Sequence, residues 1–273
     1  MKTRFILSIL AIGALFCSCA QEWGEIEDVA YPINESFTEL EVSDGFLVVG
    51  YEPDNTPWYQ ENAIVMVGQK AQSKVKLEVK NGRLYVGFRS GKFITGNDRP
   101  KVYLPSTKLK YLTTLVLCEA SGIDYINLNR LNSITLRDSS ICGTTQIFAT
   151  WNEDNTAQVG EINVDVKDGS KFYALIRVPD VNIKLSDGSY ARFEDYSDIE
   201  NLHINVNKGS EMKCGAANIF GTISEKSMVT AKCCNMLSVN VTDSSTLKYH
   251  VGADCRLSAF DCHGSGGSTI IEY

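Results

Sequence analysis

Six acids and one lysine stand two residues ahead of a recurring serine: Glu119, Asp138, Asp168, Asp187, Lys208, Glu225 and Asp243. One carboxylate per repeat could do three kinds of chemistry. Stacked carboxylates repel unless water or a cation separates them, and calcium accepts such oxygen ligands. Asp168 and Asp187, on consecutive repeats, would hold that ion. The calcium-binding pattern Gly-Gly-x-Gly-x-Asp is absent, however. Paired carboxylates could also act as acid and base in glycan cleavage. The third role is structural: tight turns favour aspartate because its side chain bonds its own backbone. Turn formation accounts for the whole column without a ligand, so no metal and no cofactor is expected.

Other reactive residues form no constellation. His203, His250 and His263 fall at unrelated phases of the repeat, minus 7, plus 5 and, counted from Ser265, minus 2. No Ser-His-Asp set and no metal motif appears. Gly264-Ser265-Gly266-Gly267 is turn chemistry, since no strand–loop–helix context or lysine follows. Catalytic residues are therefore assigned to none. The strongest ligand candidate is the long gap between Ser140 and Ser170, which carries Trp151, Glu153 and Asp154. Insertions in a repeat protein map to loops on one face, often the binding face. A tryptophan beside polar residues could stack on a sugar ring, or fold back over a bend.

The elements that position these residues come from the repeat itself. Ile162, Val164 and Val166 precede Ser170; Val181, Ile183 and Leu185 precede Ser189. Leu202, Ile204 and Val206 precede Ser210, and Leu237, Val239 and Val241 precede Ser245. The serines from Ser121 to Ser245 are spaced by 19, 30, 19, 21, 17 and 18 residues. Period-two alternation marks a half-buried strand, and Asp-Gly-Ser marks a turn needing positive φ. Apolar residues resume at even offsets after the turn, so each unit is strand, bend, strand. One unit cannot bury its own apolar face, whereas stacked copies share a continuous core. The chain is thus expected to be all-β, a single-stranded parallel β-helix of roughly 19-residue coils. An antiparallel sandwich shares the alternation but does not demand a constant phase.

Residues 31–105 depart from the phrase. Lys80-Asn81-Gly82-Arg83 predicts a two-residue hairpin, setting Val75, Leu77 and Val79 against Phe88, Val86 and Leu84. Thr38 to Asp44-Gly45 copies the repeat, with Phe46 in place of serine. This region reads as a first coil or two plus a hairpin closing the end of the solenoid. Exposed terminal strands would otherwise pair with other chains. Residues 106–273 form the repeats proper, and 31–273 reads as one continuous domain.

The start of the chain sets the compartment. Lys2 and Arg4 precede an apolar run from Phe5 to Phe16, too short to span a bilayer. It closes with Leu15-Phe16-Cys17-Ser18-Cys19, which resembles a bacterial lipobox. That resemblance implies residues 1–18 are a lipoprotein signal peptide and Cys19 carries the lipid. The acidic stretch that follows, within residues 19–30, reads as a tether. The expected location is the cell envelope, lipid-anchored to the outer membrane on its periplasmic or surface face. Removing residues 1–18 leaves 24 Lys+Arg against 33 Asp+Glu, a net charge of −9. An acidic surface without a basic cluster argues against nucleic acid as a partner. The expected partners are the membrane, through the anchor, and a glycan or envelope protein.

Beyond Cys19, seven cysteines remain. Cys142, Cys214 and Cys233 fall on inward-phase offsets, where a thiol behaves as a small apolar side chain. Cys118 and Cys262, both counted at minus 3, lie too many coils apart to bridge. One bridge among Cys214, Cys233, Cys234 and Cys255 is compatible with an oxidising compartment.

Taken together, the lipoprotein signal, the segment from Phe37 to Phe46, the hairpin at Val79–Leu84 and the Asp-Gly-Ser repeats resemble the head GIN domain family of auto-transporter-adhesin-type envelope lipoproteins. The likeness covers roughly residues 35–262. It implies a β-helix on the cell envelope and defines no catalytic or binding residue. Fold analogy alone supplies no activity. The expectation is a noncatalytic adhesin, binding or scaffold protein, with a polysaccharide lyase or glycosidase as the alternative.

Overall fold

A computed structural model describes residues 24–51, 62–90, 99–124, 126–148, 160–193, 197–253 and 255–273. It is nearly all β, stacked as a β-solenoid of about seven turns. Each coil contributes one strand to a first face, sheet A, turns a tight corner, and contributes a second strand to sheet B. Sheet A runs through Glu39–Val42, Thr114–Leu117, Ser133–Leu136, Glu161–Val166, Asp180–Leu185 and Asn201–Val206, then residues 218–223, 236–241 and 259–264, all parallel. Sheet B runs through Leu47–Tyr51, Gly122–Asp124, Ile141–Phe148, Lys171–Arg177 and Tyr190–Phe193, then residues 211–216, 228–233, 246–251 and 269–272, also parallel. Strands Glu211–Ile223 and Met228–Val241 run from sheet B into sheet A of the next coil without a break.

Register explains why the alternating phrase recurs. Val164, Ile183, Ile204 and Val239 lie in one column, with Gly221 between the last two, and the four apolar side chains are buried. Val166, Leu185, Val206, Ile223 and Val241 form the next inward column, all 0% exposed. Each side chain packs on the same position of the coil above and below, so apolar residues must keep phase with the corner.

The corner is a type I′ turn. Both central residues have positive φ, between 53° and 62° for every non-glycine at these positions. The turn is closed by bonds such as Ser170 N–H to Lys167 O, 3.2 Å, and Ser245 N–H to Thr242 O, 3.1 Å. Left-handed backbone costs an ordinary residue roughly 1–2 kcal/mol, and four corners place no glycine at either site: Glu119-Ala120, Asp138-Ser139, Glu225-Lys226 and Asp243-Ser244. The serine that follows helps to hold them there. Ser121, Ser140, Ser170, Ser189, Ser210, Ser227 and Ser245 are all buried, at 0–1% exposure. The Ser189 N–H donates to Ser210 Oγ (3.2 Å), Ser210 N–H to Ser227 Oγ (3.3 Å) and Ser227 N–H to Ser245 Oγ (3.1 Å). Each hydroxyl thus satisfies a buried backbone donor one coil away. The hydroxyl of Ser189 also donates back to Ser186 O at 2.7 Å.

The first coil has no serine because a different lid lies beneath it. Phe46 is fully buried and meets Phe88 at 4.8 Å between ring centroids. Asp44, also buried, accepts the Phe88 N–H at 2.8 Å. Phe88 belongs to the hairpin Val75–Lys80/Arg83–Phe88, whose register sets Val75, Leu77 and Val79 against Phe88, Val86 and Leu84. Its second strand extends sheet A below Glu39–Val42. Sheet B is extended by Lys101–Pro105, then by antiparallel Asn62–Gly68 and Ile26–Pro32. Residues 26–30, expected to belong to the tether, are therefore structured: Val29 pairs with Val65 and Ala30 with Ile64. The strand's β-branched residues and the free edge of Asn62–Gly68 outweigh the acidic character of the segment.

The cysteines divide by phase. Cys118, Cys142, Cys214 and Cys233 are buried free thiols, and burial pushes Cys142 and Cys214 up to about 12 and Cys233 to about 11. Cys234 and Cys255 form a disulfide between consecutive coils. Cys214 cannot join Cys233 by stacking, because it lies in register with Ala231. One phase assignment needs correcting. The last corner is Ser265-Gly266-Gly267-Ser268, closed by Ser268 N–H to Ser265 O at 3.2 Å. Counted from Ser268 rather than Ser265, Cys262 stands at minus 6, in register with Val239. Two adjacent glycines displace the phrase by three residues relative to the serine that looked like its end.

Candidate ligand-binding faces

The acids of the minus-2 column sit at the first left-handed position of each corner. Asp168 and Asp187 are exposed there. Asp187 is partnered by Lys208 of the next coil at 3.1 Å. The Ser186 hydroxyl first, and then Lys208, hold its carboxyl below the usual range, while Asp187 raises Lys208 in turn. A lysine in the column thus supplies the positive charge that a bound cation would have supplied. Among the described residues no group of three or more His, Cys, Asp or Glu is placed to hold a metal. The histidines stay apart: His203 stacks on Phe220, His250 meets Tyr273, and His263 pairs with Asp261. Trp151, Glu153, Asp154 and Cys19 lie outside the described residues.

The outer surface of sheet A is amide- and hydroxyl-rich. Register aligns Ser133, Asn163, Asn182, His203 and Phe220 in one outward column, and Thr135, Asp165, Lys184 and Asn205 in the next. They enclose a shallow groove of about 430 Å³. At its margin runs a side-chain ladder. The Asn201 amide donates to Asp180 at 2.8 Å, Asn218 to Asn201 at 2.9 Å and Asn235 to Asn218 at 2.8 Å. The Ser258 hydroxyl donates to Asn235 at 2.7 Å. An amide can donate to the coil below and accept from the coil above, so identical residues one coil apart satisfy one another. The sequence carries this signal as Asn201, Asn218 and Asn235 at intervals of 17 residues, but it was hidden behind the louder serine repeat.

The outer surface of sheet B has the opposite chemistry. Tyr173, Arg192, Lys213, Thr230 and Lys248 occupy one outward column. Gly215, Lys232 and His250 occupy the next. Arg192, Lys213, Lys232, His250 and Tyr273 wall a trough of about 540 Å³, floored where Gly215 lacks a side chain. Lys213 pairs with Glu211 of its own strand at 3.7 Å. Arg192, Lys232 and Lys248 make no ion pair among the described residues. Tyr173 and Tyr190 add a ring pair at 5.6 Å. Cations on adjacent strands repel, so this face carries charge the fold does not need. Composition missed it, because net charge averages over both faces; the phase of Arg192 and Lys213 relative to the serines was the available signal.

Neither a protein-family model nor a curated protein matches this chain. Several solved structures share its fold. A "putative adhesin" from Parabacteroides merdae superposes with a TM-score of 0.72 at 11% identity, over 92% of this chain and 97% of that one. A "putative adhesin" from Parabacteroides distasonis gives 0.69 at 13%, over 92% and 98%. A "putative lipid binding protein" from the same species gives 0.69 at 15%, over 92% and 97%. At these identities the likeness establishes the solenoid and its capped end.

Proposed function

We propose that this chain is a noncatalytic binding protein of the bacterial cell envelope, an adhesin or scaffold of the head GIN domain kind. Its sheet B face engages an extended acidic partner, a glycan chain before an envelope protein. The observation that carries this reading is the outward column in register on sheet B. Arg192, Lys213 and Lys248 project from a rigid backbone in line with Tyr173 and beside Lys232 and His250. Cations supply attraction for carboxylate or sulfate groups, and tyrosine faces stack on sugar rings. The names of the three similar structures speak for binding rather than turnover. The excursion bearing Trp151, Glu153 and Asp154 follows the sheet B strand Ile141–Phe148 in the chain. A lipidated Cys19, exposed after removal of residues 1–18, would fix the molecule to the outer membrane, since two or more acyl chains give a stable anchor.

Glycan arrays test the reading. Wild type should retain acidic glycans, Arg192→Gln/Lys213→Gln should lose them, and Trp151→Ala should weaken them. Release of new reducing ends or unsaturated products would overturn the noncatalytic assignment. Detergent phase partition tests the anchor: Cys19→Ala should move to the aqueous phase, and retention with membranes would exclude lipidation at that residue.

A further inference from the structure

A second basic site lies where the cap meets the first coils. The short helix Ser106–Leu109 ends in Leu109, and Leu109 and Leu112 are both 1% exposed. These two anchors leave Lys110 and Tyr111 projecting outward, with Tyr111 47% exposed. Arg130 approaches from the next coil. Lys110 Nζ lies 5.0 Å and Arg130 Cζ 5.5 Å from the Tyr111 ring centroid. Lys108, half-buried, donates to Ile33 O at 3.1 Å and keeps two further donors. The three cations, Tyr111 and the hydroxyls of Thr107 and Thr113 line a pocket of about 640 Å³. The wall is stacked backbone: Thr113 N–H bonds Thr38 O at 2.8 Å, and Asn132 N–H bonds Thr113 O at 3.0 Å.

We infer that this pocket binds the phosphate group of a small phosphorylated ligand, a sugar phosphate or a phospholipid headgroup. Among the described residues no acidic one lines it. None of Lys108, Lys110 and Arg130 forms an ion pair among the described residues, in a chain of net charge −7. Two cations drawn to one ring and a third lining the same pocket are a local reversal of the protein's field, which a dianion relieves. A phosphate monoester brings close to two charges and three strong acceptor oxygens. The Arg130 fork, the lysine ammonium groups and the Thr107 hydroxyl match that acceptor set, while the Thr113 hydroxyl already donates to Thr38 O at 3.1 Å. The volume exceeds one phosphate and falls within the range that holds a sugar- or glycerol-sized group.

Calorimetric titration with inorganic phosphate, glucose 6-phosphate and glucose tests this. So does co-sedimentation with vesicles of phosphatidylcholine, alone or in equal parts with phosphatidic acid. Lys110→Gln/Arg130→Gln alters only exposed side chains, and an unchanged melting temperature verifies its fold. The phosphate-bearing probe should bind wild type and lose at least about tenfold in affinity in the double variant. Vesicles are compared between wild type and variant, so any acyl anchor cancels. Binding of glucose 6-phosphate but not phosphatidic acid vesicles identifies a sugar source, and the reverse a headgroup. Failure of every phosphate-bearing probe, or equal binding by the variant, overturns the inference. Arg192→Gln/Lys213→Gln should leave this site unaffected, which separates it from the sheet B reading.

Discussion

Sheets A and B are built from the same coils, on the same core, yet their outer surfaces solve different problems. On sheet A the outward polar groups bond one another: Asp180, Asn201, Asn218, Asn235 and Ser258 form a chain of amide and hydroxyl bonds along the stack. On sheet B the outward groups include Arg192, Lys232 and Lys248, which find no carboxylate among the described residues. Packing dictates the inward columns of both faces. It dictates nothing outward, so the contrast shows where side chains serve the fold and where they serve something outside it.

The largest perturbation should come from the frame both faces share. Gly221 has φ 135°, and an added Cβ would stand 1.9 Å from Ile204 O. Gly221→Ala should cost about 3 kcal/mol or more in chemical denaturation. A smaller loss would show that the strand can shift without disturbing either face. Next comes the corner that joins the faces. Ser210→Ala removes the acceptor for the Ser189 N–H inside the core, and about 1–3 kcal/mol should follow. A cost near zero would mean water replaces the hydroxyl.

The two remaining substitutions separate the faces. Asn218→Ala breaks two ladder bonds on sheet A and should lower stability by about 1 kcal/mol. Arg192→Gln on sheet B should change stability by no more than about 0.5 kcal/mol, in the stabilising direction, because Lys213 loses a like-charged neighbour. Equilibrium unfolding in urea reads both. Equal losses on the two faces would dissolve the distinction.

The repeat made the architecture legible from sequence, because an inward column tolerates no break in phase. The hairpin was legible because Asn81-Gly82 admits few conformations. What the sequence concealed follows from the same physics. Serine looked like a turn residue, and only stacking shows that Ser210, Ser227 and Ser245 are buried acceptors for their neighbours. The strand Ile26–Pro32 carries three acidic or proline residues and gains its partner only from Asn62–Gly68, far away in the chain. The basic sites were harder to read for a different reason: on sheet B only the shared phase of Arg192 and Lys213 after Ser189 and Ser210 signals the site, and the pocket at Lys110 and Arg130 has no such signal. Arg192, Lys213, Lys110 and Arg130 are scattered through an acidic sequence, and only the coil spacing and the bends bring them together. The Asp168 and Asp187 column was visible at once, and both residues stand at left-handed corner positions.

The buried cysteines give the molecule a built-in set of gauges. Cys118, Cys142, Cys214 and Cys233 lie at different heights along the stack, and Cys262 stands half-exposed in the last sheet A strand. A thiol held near 11 or 12 inside the core is silent toward an alkylating reagent until its own coil opens. Because each coil touches only its neighbours, opening can begin at one level and spread. Pulsed labelling followed by peptide mass mapping would therefore record breathing level by level, with Cys262 as the fast reference. The clamp between Cys234 and Cys255 would mark the level at which spreading slows.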